Sequence, residues 1–433
     1  MKKFFPLLFL TVSIFSQEKD TMLLKQKDTV VFRTDSIQKV IVELFSDDDL
    51  ITIDSLLIDE KFNSPLIDTL AYVLNDKDIT GNVKTAVTKP LLKERLSILN
   101  AKTPFNLAYN PALEKVINSY LLYRKKYYPA LMARAKYYFP MFEQYLDQYD
   151  IPLEMKYLAI VESALRPRAK SRVGASGMWQ FMYGTGKQFD LKVSSYVDER
   201  YNPVKATIAA CKYLSQLFKI FGDWDLALAA YNSGPGNVTK AIKRSGGYKN
   251  YWNIRPYLPR ETAGYVPAFY ATMYIFEYAD AHHIYAETPQ FFDFQTDTVS
   301  IKRTITFDQI SETIGVDETV LTFLNPEYKL NIIPFVKDRN YALQLPSNKM
   351  ITFLDKEKQL YALADADDAT REKPLPKYFE MDKRIRYKVK SGDYLGKIAN
   401  KYGVRVSQIK KWNGLKTSNL KIGQRLYIYP RKI

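Results

Sequence analysis

Glu162 is the only charged residue in the run YLAIVESAL at 157–165. A carboxylate is costly to bury in its ionised form, so an acid in such a setting tends to keep its proton above its usual pKa. An acid still protonated near neutral pH can protonate the leaving oxygen of a glycosidic bond. Two motifs follow at fixed distances. GASGMWQFM at 174–182 brackets a tight turn with Gly174 and Gly177, where backbone can approach a ligand, and offers the amide of Gln180 and the thioether of Met182. AYNSGPGNV at 230–238 sets Tyr231 and Asn232 at a helix end before Gly234 and Gly236. Each part has an ordinary explanation: a buried Glu bonded to a backbone or Tyr group, core packing for Trp179 and Phe181, a helix–turn–helix corner at 232–236. Together, acid, glycine turn and Tyr-Asn-Gly corner make a much sharper signal than any one part. A glycosidase using two carboxylates needs a second across the cleft, and Asp190, Asp198 and Glu199 keep that alternative open.

The elements that must position these groups can be read from spacing. Leu158, Ala159 and Leu165 share a side with Glu162 and the other faces are apolar too, so this helix is expected to be buried all round. Asp150 and Pro152 start it and Pro167 ends it. Further helices are expected at 111–128, 129–149, 203–220, 223–231 and 265–281, with a loop-rich stretch at 166–200. Region 104–290 therefore reads as mainly α. After Pro289 short β-type runs alternate with short helices. Residues 301–346 and 385–430 both read strand–helix–helix–strand and are candidate divergent repeats. Between them, 347–384 is charged, holds Pro374 and Pro376, and suits a linker.

Composition bounds the setting. The chain has 433 residues, 46% apolar, with 33 Tyr and 24 Phe, rings that fill cores and also stack on sugars. Its net charge of +16 is concentrated at the C-terminus, where 384–433 carry 14 Lys and Arg against Asp393 alone. Such a patch attracts polyanions. Residues 1–16 read as an export signal, with Lys2 and Lys3, an apolar stretch from Phe4 to Phe15, and Ser16 at a cleavage point. Removal is expected, retention as an anchor being the alternative. Export makes an anionic cell envelope the expected polyanion and leaves nucleic acid the least favoured. Residues 17–103 read as a polar leader, flexible or helical in part. The single Cys211 allows no internal disulfide and reads as a small core residue. His282 and His283, being adjacent, point to different faces and cannot chelate one metal together without help; they read as surface residues. No phosphate loop, dinucleotide fingerprint or Ser-His-Asp set is visible, and no cofactor or metal is expected.

Glu162-Ser163, GASGMWQFM, AYNSGPG and ETAGYVP at 261–267 resemble the lysozyme-like catalytic domain of lytic murein transglycosylases. Order and spacing over 104–290 are most similar to the membrane-bound type D branch. The resemblance implies cleavage of the MurNAc–GlcNAc β-1,4 bond of peptidoglycan by a lone Glu, first acid and then base, closing a 1,6-anhydro ring without consuming water. It makes Glu162 the acid/base, has Ser171, Gln180 and Met182 line the cleft, sets Tyr231 and Asn232 beside the acid, and gives Tyr265 an orienting role. Tyr183-Gly184 departs from the family, where a proline is common. Residues 385–430 resemble a LysM glycan-binding module, with a groove formed by Gly392, Asp393, Tyr394 and Leu395 on one side and Asn413 and Leu415 on the other. Tyr394 and Gly396 replace the usual Thr and Ser. The 301–346 unit, with LNP at 324–326, resembles a degenerate LysM, and glycan binding is not expected there. The expectation is an exported enzyme of the periplasm or cell envelope, held on glycan strands, with peripheral membrane association a further option and protein partners unknown. Its rivals are a hydrolytic muramidase on the same fold and a non-catalytic wall-binding protein.

Overall fold

Proline and polar caps set where the helices begin. Asn110 accepts from the Leu113 amide at 2.9 Å and Pro111 occupies the first position, opening the Pro111–Ser119 helix. The computed structural model describes residues 86–429 apart from 172–173, 289–294, 373, 377, 379 and 381–384. The signal reading for 1–16 and most of the leader lie outside the described residues.

Contacts divide the chain into two units: 216–259 and, among the described residues, the remainder. The larger unit is mainly helical up to 283. Helix Tyr128–Gln148 runs through Pro140, Leu158–Ser163 carries Glu162, and Arg260–Glu277 runs through Pro267 and packs against Pro111–Ser119. Residues 89–100, read from sequence as leader, form a helix that buries Leu92, Leu96 and Leu99. Its Arg95 donates to the Tyr274 hydroxyl at 3.0 Å and lies 3.1 Å from His282 Nε2. His282 is thus half-buried in a polar cluster, which corrects the surface reading for that residue; His283 is exposed. Cys211 is a core residue of the Pro203–Phe221 helix, and burial pushes its thiol up to about 12. No described helix is long and apolar enough to cross a membrane.

Two small α+β bodies complete the larger unit, as the strand–helix–helix–strand reading expected. In the first, Thr296–Ser300 pairs antiparallel with Ala342–Pro346, Thr296 opposite Pro346 and Ser300 opposite Ala342. Between them lie helices Phe307–Ile314, started by a Thr306/Gln309 capping box, and Glu318–Leu324. The strand at 296 lies ahead of the 301 boundary read from sequence. In the second, Ile385–Lys388 pairs with Arg425–Ile428 around helices Leu395–Tyr402 and Val406–Trp412, over a core of Leu395, Ile398, Ile409, Leu426 and Ile428. Residues 350–370, expected to be linker, are instead the helix Met350–Thr370. Phe353, Leu360 and Ala364 lie seven and four residues apart, one stripe that packs into the first body's core.

The smaller unit holds helices Trp224–Ser233 and Pro235–Arg244 and a short turn at Tyr251–Ile254. Asp223 caps the first through the Leu226 amide at 2.8 Å, and Trp224 stacks on Phe218 at 4.1 Å. The helix runs two residues beyond the expected Tyr231.

Candidate active site

Glu162 sits in the last turn of Leu158–Ser163, 5% exposed among Leu158, Ile160 and Val161, all buried. The helix stops at once because Ala164 and Leu165 both take left-handed backbone, with φ of 53° and 57°. Residues with a Cβ occupy that region at a cost of about 1–2 kcal/mol each. Hydrogen bonds hold the conformation: the Ala164 and Leu165 amides donate to Ile160 and Ala159, and Arg134 donates to the Ala164 carbonyl at 3.0 Å. Tyr265, 1% exposed on Arg260–Glu277, donates its hydroxyl hydrogen to Glu162 Oε1.

The glycine turn abuts this helix end. Ser163 Oγ donates to the Met178 carbonyl at 2.9 Å. Ser176 and Phe181 exchange backbone hydrogen bonds of 3.0 Å across the turn, and Gln180 takes φ 46° with its side-chain amide on the Gly177 carbonyl at 2.7 Å. Gly177 has φ +88°, and a Cβ there would lie 1.8 Å from the Arg200 carbonyl oxygen. Close approach and backbone hand therefore both demand glycine. Ser171 Oγ accepts from the Ala175 amide at 3.0 Å, so this half-buried side chain shapes the loop. Met182 is the N-cap of the short Tyr183–Gln188 helix and is half-buried. Trp179 and Phe181 are buried, as core packing predicts, with Trp179 donating to Thr207 at 2.9 Å.

Sequence reasoning missed what anchors the turn from below. Arg200 forms a two-pronged ion pair with Asp198, at 2.8 and 3.0 Å, and donates to the carbonyls of Gly174 at 3.0 Å and Phe181 at 3.1 Å. Glu199 accepts from the Lys192 amide at 2.8 Å and pairs with Lys205 at 2.7 Å. Asp190 is largely exposed, 3.8 Å from Lys212. Two of the three acids that kept a second catalytic carboxylate open are therefore committed to structural partners.

Tyr231 and Asn232 belong to the 216–259 unit, in the last turn of Trp224–Ser233, where Asn232 is buried and Tyr231 half-buried. Gly234, at φ 83°, turns the chain straight into the next helix. Glu162, Tyr265, Ser171, Gln180 and Met182 share the larger unit.

In the C-terminal body several expected groove residues have inward duties. Leu395 is in the core, and Leu415 packs partly against it. Asp393 accepts from the Tyr387 hydroxyl at 2.6 Å and the Lys390 amide at 2.8 Å, which holds its carboxyl below the usual range. Asn413 donates to the Ile409 carbonyl at 2.8 Å and Tyr427 at 2.7 Å, and accepts from the Tyr427 amide at 2.6 Å. Gly392, at φ 78°, and Tyr394, 64% exposed, are the outward members.

Three family profiles match: Transglycosylase SLT domain over 140–254, LysM domain over 387–428, and the LysM-like domain of lytic transglycosylase MltD over 295–362. Membrane-bound lytic murein transglycosylase D of Escherichia coli (strain K12) is 30% identical over 318 residues, 71% of this chain. The chain belongs to the lytic transglycosylase family. Its match spans 66% of that relative's length. The soluble lytic murein transglycosylase of the same strain is 33% identical over 136 residues, 30% of this chain and 21% of that protein. The solved 70 kDa soluble lytic transglycosylase of Escherichia coli is 25% identical, covering 47% of this chain and 33% of its own, with a TM-score of 0.31. For a lytic transglycosylase, the 140–254 match takes in Glu162 and the glycine turn, while Tyr265 falls beyond it.

Proposed function

We propose that this chain is an exported peptidoglycan lytic transglycosylase, with Glu162 as its sole acid and base. The carrying observation is the buried Glu162 carboxyl with the Tyr265 hydroxyl on Oε1, at a helix end tied to the substrate turn through Ser163 and Met178. The protonated carboxyl donates to the bridging oxygen as the MurNAc C1–O bond breaks, releasing the GlcNAc-side hydroxyl. The resulting carboxylate then takes the proton of the MurNAc 6-hydroxyl as its oxygen bonds to C1. Glu162 ends protonated, and no water is used. Engagement of Asp198 and Glu199 by Arg200 and Lys205 counts against a hydrolase that employs either as second carboxylate.

Ser171, Gln180, Met182, Tyr231 and Asn232 are assigned to glycan contacts. Gly392, Asp393, Tyr394, Leu395, Asn413 and Leu415 build the wall-binding groove, the inward members by fixing its loops. Peptidoglycan strands are the partner, an anionic envelope surface adds attraction to the basic C-terminal body, and the location is the periplasm or cell envelope. Mass spectrometry of muropeptides released from sacculi tests this reading. Wild type should yield 1,6-anhydro ends, and Glu162→Gln should lower their release by about 10²–10⁴-fold or more with the melting profile kept. Reducing ends from wild type would mean a hydrolase; no cleavage by folded protein would leave a binding module.

A further inference from the structure

The two small α+β bodies share an asparagine clamp. Asn325 donates to the carbonyl four residues back, Leu321 at 3.0 Å, and to Gln344 at 2.9 Å, and accepts from the Gln344 amide at 2.7 Å. Asn413 makes the same three bonds, to Ile409 and Tyr427. The loops that follow Asn325 and Asn413 are therefore equivalent. In the C-terminal body this loop is one proposed wall of the glycan groove. In the first body it is covered by the catalytic region.

The cover is a built interface. Arg168 donates to the carbonyls of Pro326 at 2.9 Å and Tyr328 at 2.7 Å. Val197 and Tyr328 form an antiparallel bridge, flanked by Asp198 N to Glu327 O at 3.0 Å and Lys329 N to Tyr196 O at 2.8 Å. The Lys329 ammonium donates to the Ser194 carbonyl, and Asn202 donates to Glu327 Oε1 at 2.8 Å. Tyr196 and Val197 lie in the first body's own core with Phe307, Tyr328 and Phe353. The segment so held ends in Asp198 and Arg200, the pair that carries the carbonyls of Gly174 and Phe181.

We propose that the 295–346 body is a fixed brace for the substrate turn, its loop after Asn325 docked on 194–202, with Arg168, Asp198 and Arg200 as positioning residues. The inference rests on the transglycosylase reading for its effect on turnover, but the brace itself is read by exchange. A glycan cannot enter the first body by that loop while the catalytic region occupies it. Hydrogen bonds and buried side chains transmit the constraint from 326–329 to the turn that holds Gln180.

The test uses the full chain, with hydrogen exchange by mass spectrometry, kinetics on soluble uncross-linked glycan strands, and cosedimentation with sacculi. In the double variant Arg168→Ala/Lys329→Ala, amides of 174–181 should exchange about tenfold faster and kcat/KM should fall about tenfold, while sacculus binding stays unchanged. Arg200→Lys keeps the charge but loses the fork, and should loosen the same turn without loosening 326–329. If the double variant melts out, Asn202→Asp keeps an acceptor for the Lys205 amide, which the Asn202 side chain caps at 2.9 Å, sets acid against Glu327, and should reproduce the faster exchange. Wild-type exchange of the turn in folded variants overturns the brace. Loss of sacculus binding with unchanged turnover on soluble strands also overturns it, in favour of a glycan reader. Absence of anhydro ends from wild type would instead overturn the transglycosylase reading and leave the exchange result standing.

Discussion

Tyr265 reaches Glu162 across 103 residues of sequence and gives the carboxyl a donor in a water-poor setting. Tyr265→Phe should therefore lower kcat by about 10- to 100-fold, an effect of roughly 1–3 kcal/mol. An unchanged kcat in the folded variant would deny the contact its role. Glu162 was legible in the sequence because a lone charge in an apolar helix is locally conspicuous. Tyr265 entered only through resemblance, since no local pattern reports a partner on a distant helix. Asp198 and Arg200 show the reverse: their types were visible, but only the fold reveals that the acid is spent on a guanidinium.

At the scale of elements, the glycine turn was readable because positive φ and close approach leave a residue-type signature. Gly177→Ala should destabilise the protein by about 2 kcal/mol or more, since both backbone hand and the Arg200 carbonyl oppose a Cβ. A shift in melting temperature measures it. The 89–100 helix was hidden, its Leu92, Leu96 and Leu99 stripe diluted by polar neighbours in a region that reads as leader. His282 helps join it to the Arg260–Glu277 helix, and burial, reinforced by Arg95 and Lys125, lowers its pKa from 6.5 to about 4. The native state thus favours the neutral ring. Stability from this group is present above about pH 6.5 and is lost as pH falls toward 4. Denaturant midpoints across that window should fall for wild type and fall less for His282→Gln.

At the scale of the whole molecule, deleting 385–433 should sharply weaken cosedimentation with sacculi while sparing turnover on soluble strands, and added salt should weaken what binding the intact chain has. Unchanged sedimentation would remove the tethering role. The strand–helix–helix–strand repeat was legible from sequence, whereas the 347–384 linker was misread, because prolines and charge look alike whether a segment hangs free or is stitched down. Here it is stitched: the Tyr196 hydroxyl donates to Pro376, Tyr341 and Tyr378 meet at 2.9 Å, and Arg339 pairs with Glu380. Only residues 381–384 lie between that last fastening and the strand at Ile385, a stretch that can span under about 20 Å even at full extension. On the proposed reading, a wall-binding head joined to the body through so few residues sets a high effective concentration of the bonds next to its own foothold. The enzyme would then graze locally, cutting beside where it stands, and its step size would be set by how often the head lets go.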